Sequence, residues 1–403
     1  MAKYPLEGIR VTDFCWMGAG SYTTKLLADM GAEVIKIESN ASLDGLRLAG
    51  PFKDKKPGVN RSGYFADRNT SKRSITVNIK TEKGRNLVRD LIRNSDVVAN
   101  NFSPGKLEKA GFGYDDLRAI NPGIIYLGMS FQGIDGPDRD ALGFGLTMGA
   151  LVGLQYLTGL PGKLPAGTGT NYPDHIPNPC HAAFAILAAL RHRRRTGQGQ
   201  RIELAQIEPP LALLAPAMLN WTVNGDDTPP TGNRNDSAAP RGVYPCSGDD
   251  RWIAISIAND AQFASLADVL AAPDLLKRWA SADVRLGDQD ALDAAMAKAT
   301  SGWNAEALMQ ALQQRGIAAG LVETAADVVA HDPQLAHRQH WRRFPHAETG
   351  TMLYNAPPFR FGSLPVGPRF GAPLLGEHTD QVCHELGLDD AAIQALRDEG
   401  VLN

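Results

Sequence analysis

Asp174 stands where the texture of the chain changes abruptly, in "GTNYPDHIPNPCHAAFAILAAL" (residues 169–190). A polar, proline-broken loop carries the carboxylate, and an apolar stretch that reads as a buried helix follows at once. Pro179 suits the first helical position, where a missing N–H costs nothing. Asn178 is then the expected N-cap, and Gly197 the expected stop. Asp174 is therefore not needed as a cap. Two readings stay open on residue type alone: a local Asx hydrogen bond, or a carboxylate free to act on a substrate. An aspartate with an ordinary pKa of about 3.9 is ionised at neutral pH and needs no base to become nucleophilic. A nearby helix N-terminus would favour that ionised form further.

The second place where chemistry is possible is "WMGAGSYTT" (residues 16–24). Gly18 and Gly20 form G-x-G after a strand, and Glu38 ends the next strand. A dinucleotide fingerprint needs Gly or Ala at the third position for close helix packing, and this chain has Thr23. What survives is a glycine turn that lets a ligand approach backbone N–H groups at a helix start. Cations gather near further strand ends: Lys72, Arg73 and Lys80 in "NTSKRSITVNIK", Lys106 and Lys109 in "NNFSPGKLEKAGF". One such lysine reads as a solvated side chain. Several at the ends of parallel strands, where ligands bind in such sheets, could neutralise phosphates. The basic run His192 to Arg195 sits at the negative end of the long helix, where complementing the dipole is sufficient reason for it.

The elements that must position these residues follow from periodicity. "IRVTDFCW" reads as a buried strand, "SYTTKLLADMG" as a helix ending at Gly31, and "AEVIKIE" as a second strand. Strand, short helix and strand in this length imply a right-handed βαβ unit and a parallel sheet. The alternation continues through "RSITVNI", "EKGRNLVRDLIRN", "DVVANNF", "YDDLRAIN" and "IIYLGMSF". The fold class is α/β: a doubly wound, Rossmann-like large domain. After "RIELAQIEP" the chain turns to Pro, Gly, Asn and Asp, and beyond this lie a strand ("RWIAISIAN") and two helices. The expected division is a large domain built from 1–225, a smaller α/β domain at 226–325, and a return segment at 326–403 that completes the large domain.

Composition narrows the classes. A net charge of −3 over 403 residues gives no field for nucleic acid or an anionic membrane surface. Cys15, Cys180, Cys246 and Cys383 show no metal-ligand spacing and read as reduced thiols. No metal or redox cofactor is implied. The N-terminal stretch lacks an apolar leader core, and no run of about 20 apolar residues is present. A cytoplasmic location is the expectation.

Several segments taken together resemble one family. "PLEGIRVTDF", "LLADMGAEVIKIE", "NTSKRSITVNIKTEKG", "NNFSPGKLEKAGFGYDDLRAINPGIIY", "AALRHRRRTGQGQRIELA", "GNRNDSAAPRGVYPCSGDDRWIAI" and "LLGEHTDQVCHELGLDD" are similar, in order and spacing, to the family III CoA-transferases of the CaiB/BaiF type. The resemblance implies dimers whose chains thread through each other like links, made of identical or paralogous subunits. It implies an aspartate nucleophile just before the long helix. Asp174 is the only carboxylate between Asp140 and that helix, although "HIPNP" replaces the usual glycine-containing turn. The implied chemistry is exchange of CoA between carboxylic acids through an aspartyl mixed anhydride and an aspartyl-CoA thioester. Backbone donors at Gly18 and Ala19 are the candidates to stabilise the oxyanions.

The family pattern also assigns the CoA contacts. Val77 and Lys80 are expected to flank the nucleotide, Asn101 and Phe102 to line the pantetheine path, and Lys109 to reach a phosphate, with Lys72, Arg73 and Ser39 in the same region. Two positions depart from the pattern: Gly18 stands where a glutamine is common, and Ser39 where an arginine is common. Trp16, Met17, Tyr22 and Phe144 are expected around the acid substrate, as a roomy apolar pocket. The opening "DFCWMGAGSYTTKLLADMGAEVIKIES" resembles the benzylsuccinate CoA-transferase subunits, which implies succinyl-CoA as donor and an aromatic or branched dicarboxylate as acceptor. Two alternatives share the fold. An α-methylacyl-CoA racemase would need a base on the second face of the substrate, yet no histidine stands between Ile134 and Tyr172, and "GFGLT" replaces the racemase "GHD-x-NY". A non-catalytic subunit of a heteromeric transferase is the other.

Overall fold

A computed structural model describes residues 3–403. The chain forms two compact units. The first comprises residues 1–155, 167–227 and 334–403, and the second 156–166 and 228–333. The excursion of 156–166 into the second unit has no counterpart in the sequence reading, which placed the whole of 1–225 in one domain.

The first unit is built on a six-stranded parallel sheet. Its strands are β1 (Arg10–Asp13), β2 (Glu33–Glu38), β3 (Lys72–Thr76), β4 (Val97–Asn100), β5 (Ile125–Gly128) and β6 (Gln200–Glu203). They lie in the order β3-β2-β1-β4-β5-β6, with every neighbouring pair parallel. The order reverses between β1 and β4, which makes the carboxyl ends of these two strands the natural ligand crevice of such a sheet. The helices of this unit's first two segments are α1 (Met17–Asp29), α2 (Gly63–Arg68), α3 (Glu82–Arg93), α4 (Tyr114–Ile120), α5 (Gly145–Leu151), α6 (Leu154–Leu157, which runs into the second unit), α7 (Tyr172–His175), α8 (Pro177–Thr196), α9 (Glu208–Leu211) and α10 (Ala215–Asn224).

One sheet face is covered by α3 and α4, burying Val88, Leu91, Ile92 and Leu117 against Ile35, Ile75 and Val98. The other is covered by α1 and α8, burying Leu27, Ala182 and Ile186 against Val11, Val97 and Leu127. The chain's last segment returns to this unit: Asn78 N–H donates to the Val401 carbonyl at 2.8 Å, and Thr76 N–H to Thr379 Oγ1 at 3.1 Å.

Two details of α8 differ from the sequence expectation. It starts at Pro177 rather than Pro179, and Ile176 is its N-cap in place of Asn178. Both prolines tolerate the first turn, so the sequence could not choose between them. Asn178 is buried inside the helix, with its amide against Met148 Sδ at 3.3 Å. Burial is also one-sided: Phe184 is 73% exposed although the stretch around it is apolar all round. Gly197 ends the helix in the left-handed conformation, φ 75°.

The second unit holds the antiparallel sheet β7 (Arg241–Pro245), β8 (Trp252–Ser256) and β9 (Ala318–Leu321), in that order. Helices packed on it bury Phe263, Leu266, Leu292, Met296, Leu308 and Leu312. The antiparallel hairpin β10 (Trp341–His346) and β11 (Gly350–Asn355) belongs to the first unit.

Candidate active site

The turn from β1 into α1 is held by three consecutive amides. Cys15 N–H donates to Asp13 Oδ1 at 2.9 Å, Trp16 N–H to Asn101 Oδ1 at 2.8 Å, and Met17 N–H to Asp44 Oδ1 at 2.9 Å. Asn101 closes the clamp by donating back to the Trp16 carbonyl at 2.7 Å. Gly20 is glycine because a Cβ there would lie 2.7 Å from both Asn101 Cγ and Cys15 Cβ. Met17 takes φ 60°, a strained conformation for a residue with a side chain, and the surrounding bonds impose it. The next amides, those of Gly18 and Ala19, belong to the first turn of α1 and have no intrahelical acceptor.

Beneath this turn lies a lattice of buried charges. Lys36 pairs with Asp44 Oδ2 at 2.9 Å and donates to the Cys15 carbonyl at 2.5 Å. Lys72 donates to Asp13 Oδ2 (3.0 Å), Thr24 Oγ1 (2.7 Å), the Ser21 carbonyl (2.9 Å) and Asn69 Oδ1 (2.9 Å). Arg47 holds Glu38 at 2.8 Å. Burial alone would raise the Asp44 pKa, but Lys36 and two backbone amides hold it below the ordinary value. These charges fix the ends of β1, β2 and β3 relative to α1.

Asp174 lies in the short turn α7, 8% exposed. Its Oδ2 accepts the Gly145 amide, the first of α5, at 3.1 Å. Gly18 faces it: a Cβ on Gly18 would sit 3.0 Å from Asp174 Cβ and 3.5 Å from the Tyr64 hydroxyl. Burial pushes the carboxyl pKa up to about 6, and the Gly145 amide offsets only part of this. The expectation of an ordinary carboxylate favoured by the following helix is thus corrected. Desolvation dominates, and the helix end that meets the carboxylate is that of α5, not α8. At pH 7 a carboxyl of this kind is still about nine-tenths ionised.

Beside Asp174, His175 Nε2 is 2.7 Å from the Tyr64 hydroxyl and its Nδ1 is 3.3 Å from Thr170 Oγ1. Burial, with Arg68 nearby, lowers the His175 pKa to about 4, so the ring is neutral. Sequence reasoning missed Gly145, Tyr64 and His175. Only His175, a titratable neighbour of Asp174, left a signal in the sequence.

A cavity of about 740 Å³ opens at the carboxyl ends of the central strands, lined among others by Trp16, Ser39, Val77, Lys80, Phe102, Lys106 and Lys109. Trp16 and Phe102 meet edge to face at 5.1 Å, with Lys106 Nζ 4.8 Å from the Phe102 ring centre. Lys80, Lys106 and Lys109 are exposed, and no ion pair is formed by any of them among the described residues. Trp16 links the two regions, since it lines the cavity and stands two residues before Gly18.

Other expected contacts are elsewhere. Lys72 is wholly buried in the charge lattice and cannot reach a ligand. Arg73 is spent on Glu33 and on Glu385, at 2.9 Å to the latter. Asn101 uses its amide to clamp Trp16. Glu38 lines the large cavity, but its carboxylate is held by Arg47. The four apolar residues expected around the acid do not form one pocket. Trp16 lines the large cavity, and Met17 Sδ lies against Gly45. The Tyr22 ring lies 4.5 Å from the Arg68 guanidinium carbon. Phe144, 61% exposed, caps α5. A second cavity of about 390 Å³ adjoins Asp174, lined by Gly145, Leu146, Thr170, Asn171 and Pro173 among others.

Comparison with known proteins agrees over nearly the whole chain. The profile of CoA-transferase family III matches residues 6–379. The chain is 33% identical over 400 residues to the succinyl-CoA–D-citramalate CoA-transferase of Chloroflexus aurantiacus, covering 98% of each protein. It is 33% identical over 389 residues to the succinate–glutarate CoA-transferase of Agrobacterium fabrum, covering 95% of this chain and 96% of that one. The crystal structure of a CaiB/BaiF family protein from Brucella suis superposes with a TM-score of 0.87 at 32% identity, covering 96% of this chain and 100% of that one. With a parallel α/β sheet, a cavity at its switch point and a buried aspartate beside a free helix start, the chain belongs to the family III CoA-transferases, enzymes that move CoA between acyl-CoA and carboxylic acids.

Proposed function

We propose that Asp174 is the nucleophile of this transferase and that succinyl-CoA is its donor. The observation that carries the reading is the setting of the carboxylate: one oxygen is held by Gly145, and the group faces the first turn of α1 across the side-chain-free Gly18. Asp174 Oδ1 attacks the thioester carbon, the C–S bond breaks, and an aspartyl-acyl anhydride and CoA thiolate result. The thiolate then attacks the aspartyl carbonyl, releasing the donor acid and leaving an aspartyl-CoA thioester. The acceptor carboxylate repeats these steps in reverse order, so that acceptor acyl-CoA leaves and Asp174 is regenerated. Each attack places negative charge on a carbonyl oxygen, and the Gly18 and Ala19 amides are the donors proposed to receive it.

The 740 Å³ cavity suits CoA. Lys80, Lys106 and Lys109 supply cations for its phosphates, Val77 and Ser39 line the nucleotide end, and Trp16 with Phe102 forms the wall along which pantetheine passes toward Asp174. The names of the two curated relatives favour succinyl-CoA with an aliphatic dicarboxylate such as glutarate or citramalate. They give no support to benzylsuccinate, which stays in the panel as the aromatic candidate. A dimer, of identical or paralogous chains, is supported by apolar side chains of the first unit left in the open: Leu146 (64% exposed), Phe184 (73%), Trp221 (60%) and Val223 (75%). The test is an exchange assay with succinyl-CoA and a panel of mono- and dicarboxylic acids, run alongside light scattering. Succinate release coupled to formation of a new dicarboxyl-CoA supports the reading. Exchange from acetyl- or formyl-CoA but not succinyl-CoA refutes the donor assignment.

A further inference from the structure

We infer that the Tyr64 hydroxyl, oriented by His175, is a third oxyanion donor of the transferase site, taking the place a longer side chain at position 18 would fill. The inference rests on Asp174 being the nucleophile. It starts from Gly18. Its Cα points between two groups: the Asp174 side chain, 3.0 Å from the position a Cβ would take, and the Tyr64 hydroxyl, 3.5 Å from the same position. Glycine keeps that space clear, so the hydroxyl and the carboxylate look at each other across a gap rather than across a side chain. An acyl carbon attacked by Asp174 Oδ1 has its oxygen in that gap, with the Gly18 and Ala19 amides on one side and Tyr64 on another.

The hydrogen-bond chain behind Tyr64 decides which way its proton points. His175 carries one ring proton when neutral, and its two nitrogens have different partners, Tyr64 Oη at 2.7 Å and Thr170 Oγ1 at 3.3 Å. A threonine hydroxyl that donates to Nδ1 leaves the proton on Nε2. Nε2–H then donates to Tyr64 Oη, which turns the phenol proton outward to the substrate. In the other tautomer the phenol would donate to Nε2 and offer only lone pairs to a developing oxyanion. The half-buried ring pair, edge to face at 5.9 Å, keeps the phenol in this place. No proton changes owner: Tyr64 donates a hydrogen bond that strengthens as charge develops and relaxes when the C–S bond breaks. His175 touches no reacting atom and is a positioning residue. Tyr64 is the catalytic one.

The test is a single-turnover experiment on the full chain with succinyl-CoA, following release of CoA thiol and mapping the adduct by mass. Wild type is expected to carry the adduct on Asp174, which checks the underlying reading separately. Tyr64→Phe is expected to form the same adduct roughly 100-fold more slowly, with affinity for CoA and thermal stability close to wild type. His175→Gln, which keeps a donor near the Nε2 position, is expected to stay within about tenfold of wild type, while His175→Ala falls as far as Tyr64→Phe. Adduct formation in folded Tyr64→Phe within about twofold of wild type overturns the inference while leaving Asp174 as nucleophile. Equal losses in His175→Gln and His175→Ala overturn the orienting role. An adduct on another residue in wild type overturns both readings.

Discussion

The only hydrogen bond to the Asp174 carboxyl among the described residues comes from the Gly145 amide, 3.1 Å from Oδ2. A buried carboxylate commonly collects several donors, and each would lower its nucleophilicity and its pKa. Here a single amide sets the orientation and leaves Oδ1 uncommitted. The cost of that arrangement falls on stability, and it gives the first prediction.

Asp174 is ionised at pH 7 against a folded-state pKa of about 6, raised from 3.8 by burial. A raised carboxyl pKa contributes stability that is complete below the unfolded-state value and is lost as pH rises through the folded one. Asp174→Asn is therefore expected to abolish transfer yet to be more stable than wild type at pH 8, by at most about 3 kcal/mol, which is read as a higher unfolding temperature. Below about pH 4 the difference is expected to vanish. Calorimetric melting of both proteins across that range is the check.

The same pKa is expected to govern the rate. kcat/KM for succinyl-CoA is expected to fall about tenfold per unit below pH 6, on a single acid limb. His175 remains neutral until about pH 4, so that limb belongs to Asp174. A limb that moves when His175 is replaced by Gln would contradict the assignment to Asp174.

Gly145 admits no side chain. A Cβ there would meet Asn171 Cβ at 2.6 Å and Asp174 Oδ2 at 2.8 Å. Gly145→Ala is expected to push the carboxylate off its amide and lower kcat on the order of 100-fold, while KM for the CoA ester changes little, because the large cavity does not include this residue. Steady-state kinetics with succinyl-CoA varied separates the two parameters.

Two sets of lysines with similar sequence signals are expected to respond in opposite ways. Lys80→Ala, Lys106→Ala and Lys109→Ala should each raise KM for succinyl-CoA about three- to tenfold, more at low salt, with melting unchanged. Lys72→Met should instead destabilise the protein by about 3–5 kcal/mol by leaving Asp13 buried and unpaired. Urea unfolding and KM measurements on the four variants check this contrast.

The sheet was legible because each strand is a short apolar or β-branched run bounded by helix or turn signals; Val77, Lys80 and Phe102, which the family resemblance assigns to CoA, line the large cavity. The charge lattice was not legible. A lysine in a sequence reads as solvated, and the partner that buries Lys72, Asp13, is 59 positions away. Asn101 was read as a ligand contact for the same reason: nothing local announces that its amide is spent on Trp16. The start of α8 depended on which of two prolines, Pro177 or Pro179, opens the helix, and local preference treats them alike. Asp174 was singled out by the family resemblance and by chain order, but its environment depends on Gly145 and Gly18, both distant in sequence. Its raised pKa therefore appears only once the chain is folded.

The most direct test of the central claim is to trap the covalent intermediate. The pure protein is incubated with succinyl-CoA, reduced with borohydride, and the modified peptide mapped by mass. The expected result is conversion of Asp174 to the corresponding alcohol, absent without the thioester and absent in Asp174→Asn. CoA transfer that proceeds with Asp174 unmodified, or in the Asp174→Asn protein at an undiminished rate, would contradict it.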